Sequence, residues 1–253
     1  MKKISINLFI ISISLLFLFI VPPQAEYLIC PYQSIPTHGA HDWESFAIGA
    51  DTFLAMANYG SWSANNIDSK IYKWNGSSFA EFQSIPAHGA TDWESVTIGA
   101  DIFLAVANHK DDSTYNIDSK IYKWNGSAFA EFQSIPTHGA SGWESFTIDN
   151  DIFLAVANMY NGSAYNINSK IYKWNGSAFA EFQSIPTHGA YGLESFAIGS
   201  DTFIAVANGY NGFTFNINSK IYKWNGSAFA EFQSIPTCGA YGLESFAIGS
   251  DTF

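Results

Sequence analysis

Residues 94–136 read ESVTIGADIFLAVANHKDDSTYNIDSKIYKWNGSAFAEFQSIP, and this stretch predicts the fold of the whole chain. Four short segments in it are rich in β-branched and aromatic residues and are separated by turn residues, which is typical of β-strands. The predicted strands are Glu94–Ile98, Ile102–Ala107, Lys120–Trp124 and Phe129–Ile135. The second is apolar at every position, as in a strand that is buried on both faces. No segment has helical periodicity, so the stretch predicts an all-β unit of four strands.

A two-residue turn at Asn125-Gly126 is predicted to join the last two strands, because this dipeptide suits the positive φ angles of a type I′ hairpin. That turn would place Tyr122 opposite Phe129 and Lys120 opposite Glu131. The same charge pair recurs as Lys70 with Glu81, Lys170 with Glu181 and Lys220 with Glu231. Exposed ion pairs are common and weak, so these are interpreted as solvated pairs at a rim.

The four-strand unit recurs every 50 residues without insertion or deletion. The phrase QSIP begins at Gln33, Gln83, Gln133, Gln183 and Gln233. Such self-similarity indicates a propeller or a solenoid. Polarity rises from the first two strands of each unit to the last two, which favours a first strand near a central axis and a fourth at the rim. The sequence therefore predicts a β-propeller of four-stranded blades, with a β-solenoid as the alternative.

Three phrases of the repeat are distinctive: FQSIPTHGA (Phe132–Ala140), FLAVAN (Phe103–Asn108) and SKIYKWNG (Ser119–Gly126). They resemble the EPTP repeat, also called the epilepsy-associated or EAR repeat. The family occurs in the leucine-rich glioma-inactivated proteins and in some adhesion receptors, and the resemblance runs from about residue 32 to the end. It implies a secreted, seven-bladed propeller that binds extracellular proteins without catalysis. Family members can hold calcium near the central channel, but no ligand set transfers to this chain residue by residue, so its metal ligands stay unknown.

The repeat count differs from that implied by the family. Four full repeats span residues 33–232, and a partial repeat spans residues 233–253. Seven blades would need roughly 350 residues at this period. The chain is therefore expected to be a fragment of a seven-bladed ring, with an EPTP-repeat propeller over residues 26–253.

The first 25 residues have the order of a secretory signal peptide. Lys2 and Lys3 precede the apolar run Leu8–Val21, and Pro22-Pro23 and Ala25 follow it. The alternative is a membrane anchor, but the run is shorter than the roughly 20 residues that a spanning helix needs. We expect cleavage near Ala25 and a secreted, extracellular product.

The composition excludes several classes of protein. The chain carries 22 acidic residues against 11 basic ones, all of them Lys, and its net charge of −11 argues against nucleic acid as a partner. With 17% aromatic and 13% charged residues, it does not have the composition of a disordered chain. It contains no GxSxG nucleophile motif and no glycine-rich phosphate loop. We therefore predict a protein that is not an enzyme and has no cofactor, with a calcium ion in the central channel as the alternative.

Two rows of residues invite a metal hypothesis. One comprises His38, His88, His138 and His188, with Cys238 in the fifth place. These residues follow the outer strand, about three strand spacings or ~14 Å from the first, so we expect a structural role. The other row comprises Glu44, Glu94, Glu144, Glu194 and Glu244. These open the innermost strand, where they could form an acidic ring for calcium or cap the backbone of neighbouring blades.

Five asparagines lie in NGS sequons: Asn75, Asn125, Asn161, Asn175 and Asn225. In a eukaryotic secretory pathway such asparagines are glycosylation acceptors. The alternative is that NGS serves the hairpin turns, where four of the five lie. The sequence leaves both interpretations open.

Differences between the repeats concentrate in the loops after the second strands and in the connectors after the fourth. These segments emerge on one side of the disc because the strands alternate in direction. The loops begin YGSWSAN, HKDDSTY, MYNGSAY and GYNGFTF, and the connectors include HDW, TDW, SGW and YGL. A binding surface can differ from blade to blade, whereas packing holds the framework constant. The predicted partner-binding residues are Tyr59, Trp62, His109, Tyr115, Tyr160, Tyr165, Tyr210 and Phe213. The expected partner is an extracellular or cell-surface protein, with a glycan as the alternative. The differences between the loops have a second explanation, which is neutral drift in loops without a function.

Overall fold

The computed structural model describes residues 32–60, 64–248 and 251–252. The predicted signal peptide, residues 1–25, and Trp62 lie outside these ranges. Among the described ranges, no helix is long and apolar enough to cross a membrane.

Four sheets of four antiparallel strands follow one another along the chain, and in each sheet the strand order is the sequence order. The first blade comprises β1 (Ala40–Ile48), β2 (Asp51–Asn58), β3 (Ser69–Trp74) and β4 (Phe79–Ile85). The second comprises β5 (Ala90–Ile98), β6 (Asp101–Asn108), β7 (Asp118–Trp124) and β8 (Phe129–Pro136). The third comprises β9 (Ala140–Ile148), β10 (Asp151–Asn158), β11 (Asn168–Trp174) and β12 (Phe179–Pro186). The fourth comprises β13 (Ala190–Ile198), β14 (Asp201–Asn208), β15 (Asn216–Trp224) and β16 (Phe229–Cys238), and a short pair follows, β17 (Ala247–Ile248) with β18 (Asp251–Thr252).

The predicted architecture of four-stranded propeller blades is confirmed. The first strands β1, β5, β9 and β13 lie against one another in turn, which places them on the inner side of the blades. The core lies between the blades. In β6, Leu104 and Val106 pack on the first blade, whereas Phe103, Ala105 and Ala107 pack on the third. Residues 102–107 of the second strand are all apolar because the strand separates two cores.

A glutamine links the outer strands of neighbouring blades. Gln83 Oε1 accepts a hydrogen bond from the Phe129 amide at 2.9 Å, and Gln83 Nε2 donates to the Phe129 carbonyl at 2.8 Å. Gln133 with Phe179 and Gln183 with Phe229 repeat both bonds. The Gln of the QSIP phrase therefore satisfies backbone groups of the next blade that would otherwise lack a partner.

The prediction of a two-residue hairpin turn is wrong. The closing pair is Trp124 with Phe129, so the loop holds the four residues 125–128. Asn125 Oδ1 accepts hydrogen bonds from the amides of Ser127 and Ala128, both at 3.0 Å. Of the loop residues only Gly126 has a positive φ, 99°, whereas a type I′ turn requires two. The Asn side chain closes a wider turn than the dipeptide alone predicts.

The strand register changes with the turn. Tyr122 lies opposite Glu131 rather than Phe129, Lys120 lies opposite Ser134, and a bulge falls between Ile121 and Tyr122. The expected ion pair nevertheless forms, because Lys120 Nζ reaches Glu131 Oε1 at 3.0 Å on the diagonal. The equivalent pairs in the other three blades span 2.6–2.9 Å. Their acidic partners are about half exposed, which agrees with solvated pairs of small energetic value.

Candidate interaction surface

The segments that vary between repeats come together on one side of the blades, here called the loop face. It comprises residues 59–60 and 64–67, residues 109–117, 159–167 and 209–215, and the connectors around Gly39, Gly89, Gly139 and Gly189. In the third connector, the Gly139 amide donates to the Tyr115 carbonyl at 2.7 Å, and the Gly139 carbonyl accepts from the Met159 amide at 3.1 Å. Gly139 has a φ of 52°, and a Cβ there would lie 2.6 Å from the Tyr160 carbonyl oxygen. The connector therefore needs glycine to bring the loops of two blades together.

Six of the eight predicted partner-binding residues form one continuous row of rings across the loop face, here called the aromatic run. Its members are Tyr59, His109, Tyr115, Tyr160, Tyr165 and Tyr210. Consecutive ring centroids lie 4.3–5.8 Å apart. Phe213 projects beside the run and is 93% exposed.

The aromatic run extends beyond the predicted residues at both ends. His41 stacks on Tyr59 at 4.7 Å, and Phe215 packs on Tyr210 at 4.6 Å. Sequence reasoning missed both. Phe215 occupies the same repeat position as Tyr115 and Tyr165, so that 50-residue spacing was the signal that could have found it.

The rings of the aromatic run also hold neighbouring blades together. Tyr115 packs edge-on against Tyr160 of the next repeat, and Tyr165 does the same with Tyr210. Between the first and second blades a polar contact accompanies the Tyr59–His109 ring contact, since Asp112 Oδ1 accepts from the Asn65 amide at 2.8 Å. Each aromatic pair contributes about 0.5–1.5 kcal/mol beyond burial. The half-buried tyrosines therefore combine a packing role with an accessible edge.

His109 has a different environment from the tyrosines of the run. Its side chain is 6% exposed, and Nδ1 lies 3.2 Å from the Ala140 carbonyl, to which it donates as a neutral imidazole. Burial lowers the His109 pKa to about 4, so the ring carries no charge near neutral pH. Its edge packs against Tyr115, whose ring also lies 5.6 Å from Lys110 Nζ. The buried His109 ring therefore packs against the aromatic run from the protein interior.

A cavity of about 460 Å³ opens at the inner end of the loop face. Its lining residues are His41, Tyr59, Thr91, His109, Ser141, Met159, Tyr191 and Tyr241. They represent only two repeat positions, and both positions differ from repeat to repeat. Tyr191 and Tyr241 stack at 4.0 Å on one side of it. The residues that line this cavity are thus among the most variable of the repeat.

The row of inner glutamates caps the neighbouring blades. Glu44, Glu94, Glu144 and Glu194 each accept a hydrogen bond from the backbone amide of a serine in the next blade, at 2.9–3.2 Å. Of the two interpretations that the sequence left open, the structure supports backbone capping. Within the described ranges, no three His, Cys, Asp or Glu side chains are grouped as metal ligands would be.

Burial makes two inner acids weak. Desolvation and the neighbouring Glu144 and Glu44 carboxylates raise the pKa of Glu94 to about 8. The pKa of Asp92 lies well above its usual range because Asp92 is buried and lies beside the Asp42 carboxylate. The third and fourth blades have Gly142 and Gly192 at the equivalent positions.

The raised pKa of Glu94 predicts a pH-dependent stability. The folded state holds a proton on Glu94 that the unfolded state releases, so this contribution is fully present below pH 4.5 and is lost as the pH rises towards 8. Glu94→Gln keeps an acceptor for the Ser145 amide and never ionises. We expect its thermal midpoint to fall less than that of the parent protein between pH 4.5 and pH 8.

Glu131→Gln is the matched control. Lys120 lowers the pKa of Glu131, so this carboxylate does not titrate between pH 4.5 and pH 8. Its replacement should therefore leave the fall of the thermal midpoint over that pH range unchanged. Equal falls in the midpoint for the parent protein and Glu94→Gln would contradict the assignment. The measurement is thermal unfolding followed by tryptophan fluorescence.

The histidine row has the structural role that was expected. The His88 amide donates to Asn108 Oδ1 at 3.0 Å, and His88 Nδ1 lies 2.5 Å from Asn66 Oδ1. His138 with Asn116 and His188 with Asn166 repeat the ring contact at 2.6 Å. His88, His138 and His188 each link their connector to the loop between the second and third strands of the same blade. Cys238, at the fifth place, is exposed.

Comparison with known sequences agrees with the repeat pattern. The family model described as the EPTP domain matches residues 31–75, 78–125, 128–175 and 178–225. The human thrombospondin-type laminin G domain and EAR repeat-containing protein is 58% identical over 45 residues, which are 18% of this chain and 7% of that protein. The mouse protein of the same name is 49% identical over 47 residues, 19% of this chain and 7% of that protein. The matches cover a small part of those longer relatives.

Solved structures resemble the fold. An exo-β-1,3-galactanase from Phanerochaete chrysosporium, in complex with galactose, superposes with a TM-score of 0.53 at 13% identity, over 81% of this chain and 51% of that chain. A β-xylosidase/α-arabinofuranosidase from a compost microbial metagenome superposes with a TM-score of 0.52 at 8% identity, over 81% of this chain and 80% of that chain. At such identity the likeness shows the fold alone, because one fold hosts many functions.

Proposed function

The chain belongs to the EPTP domain family, and on that premise we propose that it is a secreted, non-catalytic module that binds an extracellular or cell-surface protein through its loop face. The observation that carries the proposal is the distribution of differences between repeats. Framework residues such as the Gln of QSIP are the same in every blade, whereas the aromatic run and the lining of the inner cavity change from blade to blade. A surface that must contact an asymmetric partner varies in this way.

The chemistry of the loop face supports a protein partner. Tyrosines dominate the aromatic run, and large amphipathic rings are the residues most enriched at energetic hot spots of protein interfaces. Phe213 is 93% exposed, which leaves a large apolar ring available for contact. Asp111 and Asp112 lie in the second loop of an acidic chain, so a partner with basic residues would be favoured.

The test uses the secreted protein on an array of displayed extracellular protein domains. The loop variant carries Tyr165→Ala and Phe213→Ala, and we expect it to bind the identified domain about 10-fold more weakly or worse, as hot-spot truncations do. The control variant carries Asn150→Ala and Ser200→Ala, two exposed positions in turns on the opposite face. Loss of binding in the control variant, with normal binding in the loop variant, would show that the binding surface has been assigned to the wrong face. Selective binding on a glycan array, with no protein domain bound, would contradict a protein partner and favour a carbohydrate ligand.

A further inference from the structure

Four of the five NGS sequons lie in the turns between the third and fourth strands, one in each blade. These turn sequons are Asn75, Asn125, Asn175 and Asn225, and all four asparagines are exposed. The turns emerge on the side opposite to the loop face, because the second and third strands run antiparallel. The sequons therefore repeat at one height around the blades.

In three of the four turns, the hydrogen bonds of the asparagine side chain use only its oxygen atom. In Asn125 the oxygen Oδ1 accepts three hydrogen bonds at 3.0 Å, from the Ser127 amide, the Ala128 amide and the Ser127 hydroxyl. The amide nitrogens Nδ2 of Asn125, Asn175 and Asn225 donate no hydrogen bond to any residue that the structure describes. Asn75 Nδ2 donates to the Ser78 hydroxyl at 3.2 Å on the surface. The folded turns thus leave Nδ2 without a hydrogen-bond partner among the described residues in three blades, and bonded only to an outer hydroxyl in the first.

We propose that Nδ2 of each turn sequon carries an N-linked oligosaccharide. The donor is a polyprenyl-diphosphate-linked oligosaccharide, and the catalyst is the oligosaccharyltransferase of the secretory pathway. Nδ2 attacks the anomeric carbon of the first sugar, a C–N bond forms, and the C–O bond to the diphosphate breaks. The diphosphate leaves with the electron pair, and one amide proton passes to a base. In the chain's natural setting, the inference rests on the secretion proposed above.

The position of these sites has a consequence for binding. Bulky, hydrophilic glycans on all four turns would cover the side opposite to the loop face and leave the aromatic run open. The fifth sequon, Asn161, lies on the loop face and is only half exposed, so it is not included. Asn211 in the fourth blade provides an internal comparison. Its Oδ1 accepts a hydrogen bond from the Phe213 amide at 2.9 Å, as in the turn sequons. Phe213, however, stands in place of the sequon serine and has no hydroxyl.

The experiment expresses the chain in mammalian cells behind a heterologous cleavable leader, so that its own leader is not needed. Treatment with peptide-N-glycosidase F in heavy-oxygen water converts each glycosylated Asn to labelled Asp, which peptide mass spectrometry locates. We expect label at the four turn sequons and none at Asn211. Ser127→Ala should lose the label at Asn125 alone, whereas Ser127→Thr should keep it, because only a hydroxyl completes the sequon.

Ser127→Ala retains both backbone bonds to Asn125 Oδ1, and an unchanged thermal midpoint will confirm that the turn folds. Unlabelled turn asparagines in secreted, folded protein would overturn the glycan assignment. That readout needs no partner, so it can fail while the proposed binding function stands. Label at all four sites with no binding partner found would leave the glycans established and count against the binding function only.

Discussion

Replacing Phe153 by Ala is expected to lower the free energy of unfolding by about 3–5 kcal/mol, the range for truncating a fully buried Phe. The Phe153 ring is 0% exposed and lies between two blades. It stacks on Phe146 of its own blade at 5.2 Å and contacts Trp224 of the next at 6.0 Å. The truncation leaves a cavity that the surrounding strands cannot fill, because the backbones of both sheets are held by their ladders. Chemical denaturation followed by tryptophan fluorescence measures the change.

Phe203→Ala makes the same substitution at the same position of the fourth blade and serves as its control. Phe203 stacks on Phe196 and contacts Phe232, within its own blade. We expect a loss that is smaller by about 1 kcal/mol, the value of one aromatic pair. Equal losses in the two variants would show that the contact between blades adds nothing to the contacts within a blade.

Replacing Asn158 by Leu is expected to lower the free energy of unfolding by about 2–4 kcal/mol, since two backbone groups lose their partner. Asn158 is buried at the end of β10. Its Oδ1 accepts from the His138 amide at 3.0 Å, and its Nδ2 donates to the Asn168 carbonyl at 2.9 Å. The side chain therefore joins the second strand to the connector and to the start of the third strand.

The matched control for Asn158→Leu is Asn166→Ala, an exposed asparagine on the same loop whose Oδ1 contacts His188 Nδ1 at 2.6 Å. There water can replace the lost bond, and we expect a change below about 1 kcal/mol. Denaturant midpoints of the two variants give the comparison. An equal, small loss in both would mean that the buried asparagine is replaceable. A large loss for Asn158→Leu would explain why Asn ends the FLAVAN phrase in each repeat.

The all-β class and the four strands of each unit followed from local pattern alone. Strand positions depend on runs such as Ile102–Ala107 and on turn residues that punctuate them, and these act over a few residues. The 50-residue repeat then determined the blades, because identical units that cannot bury their faces alone must stack. The same repeat identified the variable side, since its differences could be compared within one chain.

Tertiary structure decided what depends on distances between blades. The hairpin register could not be predicted, because the Asn125 side chain closes a four-residue turn and a bulge at Ile121 shifts the pairing. The role of the glutamates depends on a contact between blades, since Glu94 accepts a hydrogen bond from the Ser145 amide of the next blade. The aromatic run is likewise a product of stacking, since Tyr115 and Tyr160 are 45 residues apart in sequence and meet only where two loops pack. Sequence determines which residues a blade presents, and the packing of one blade on the next determines which of them meet.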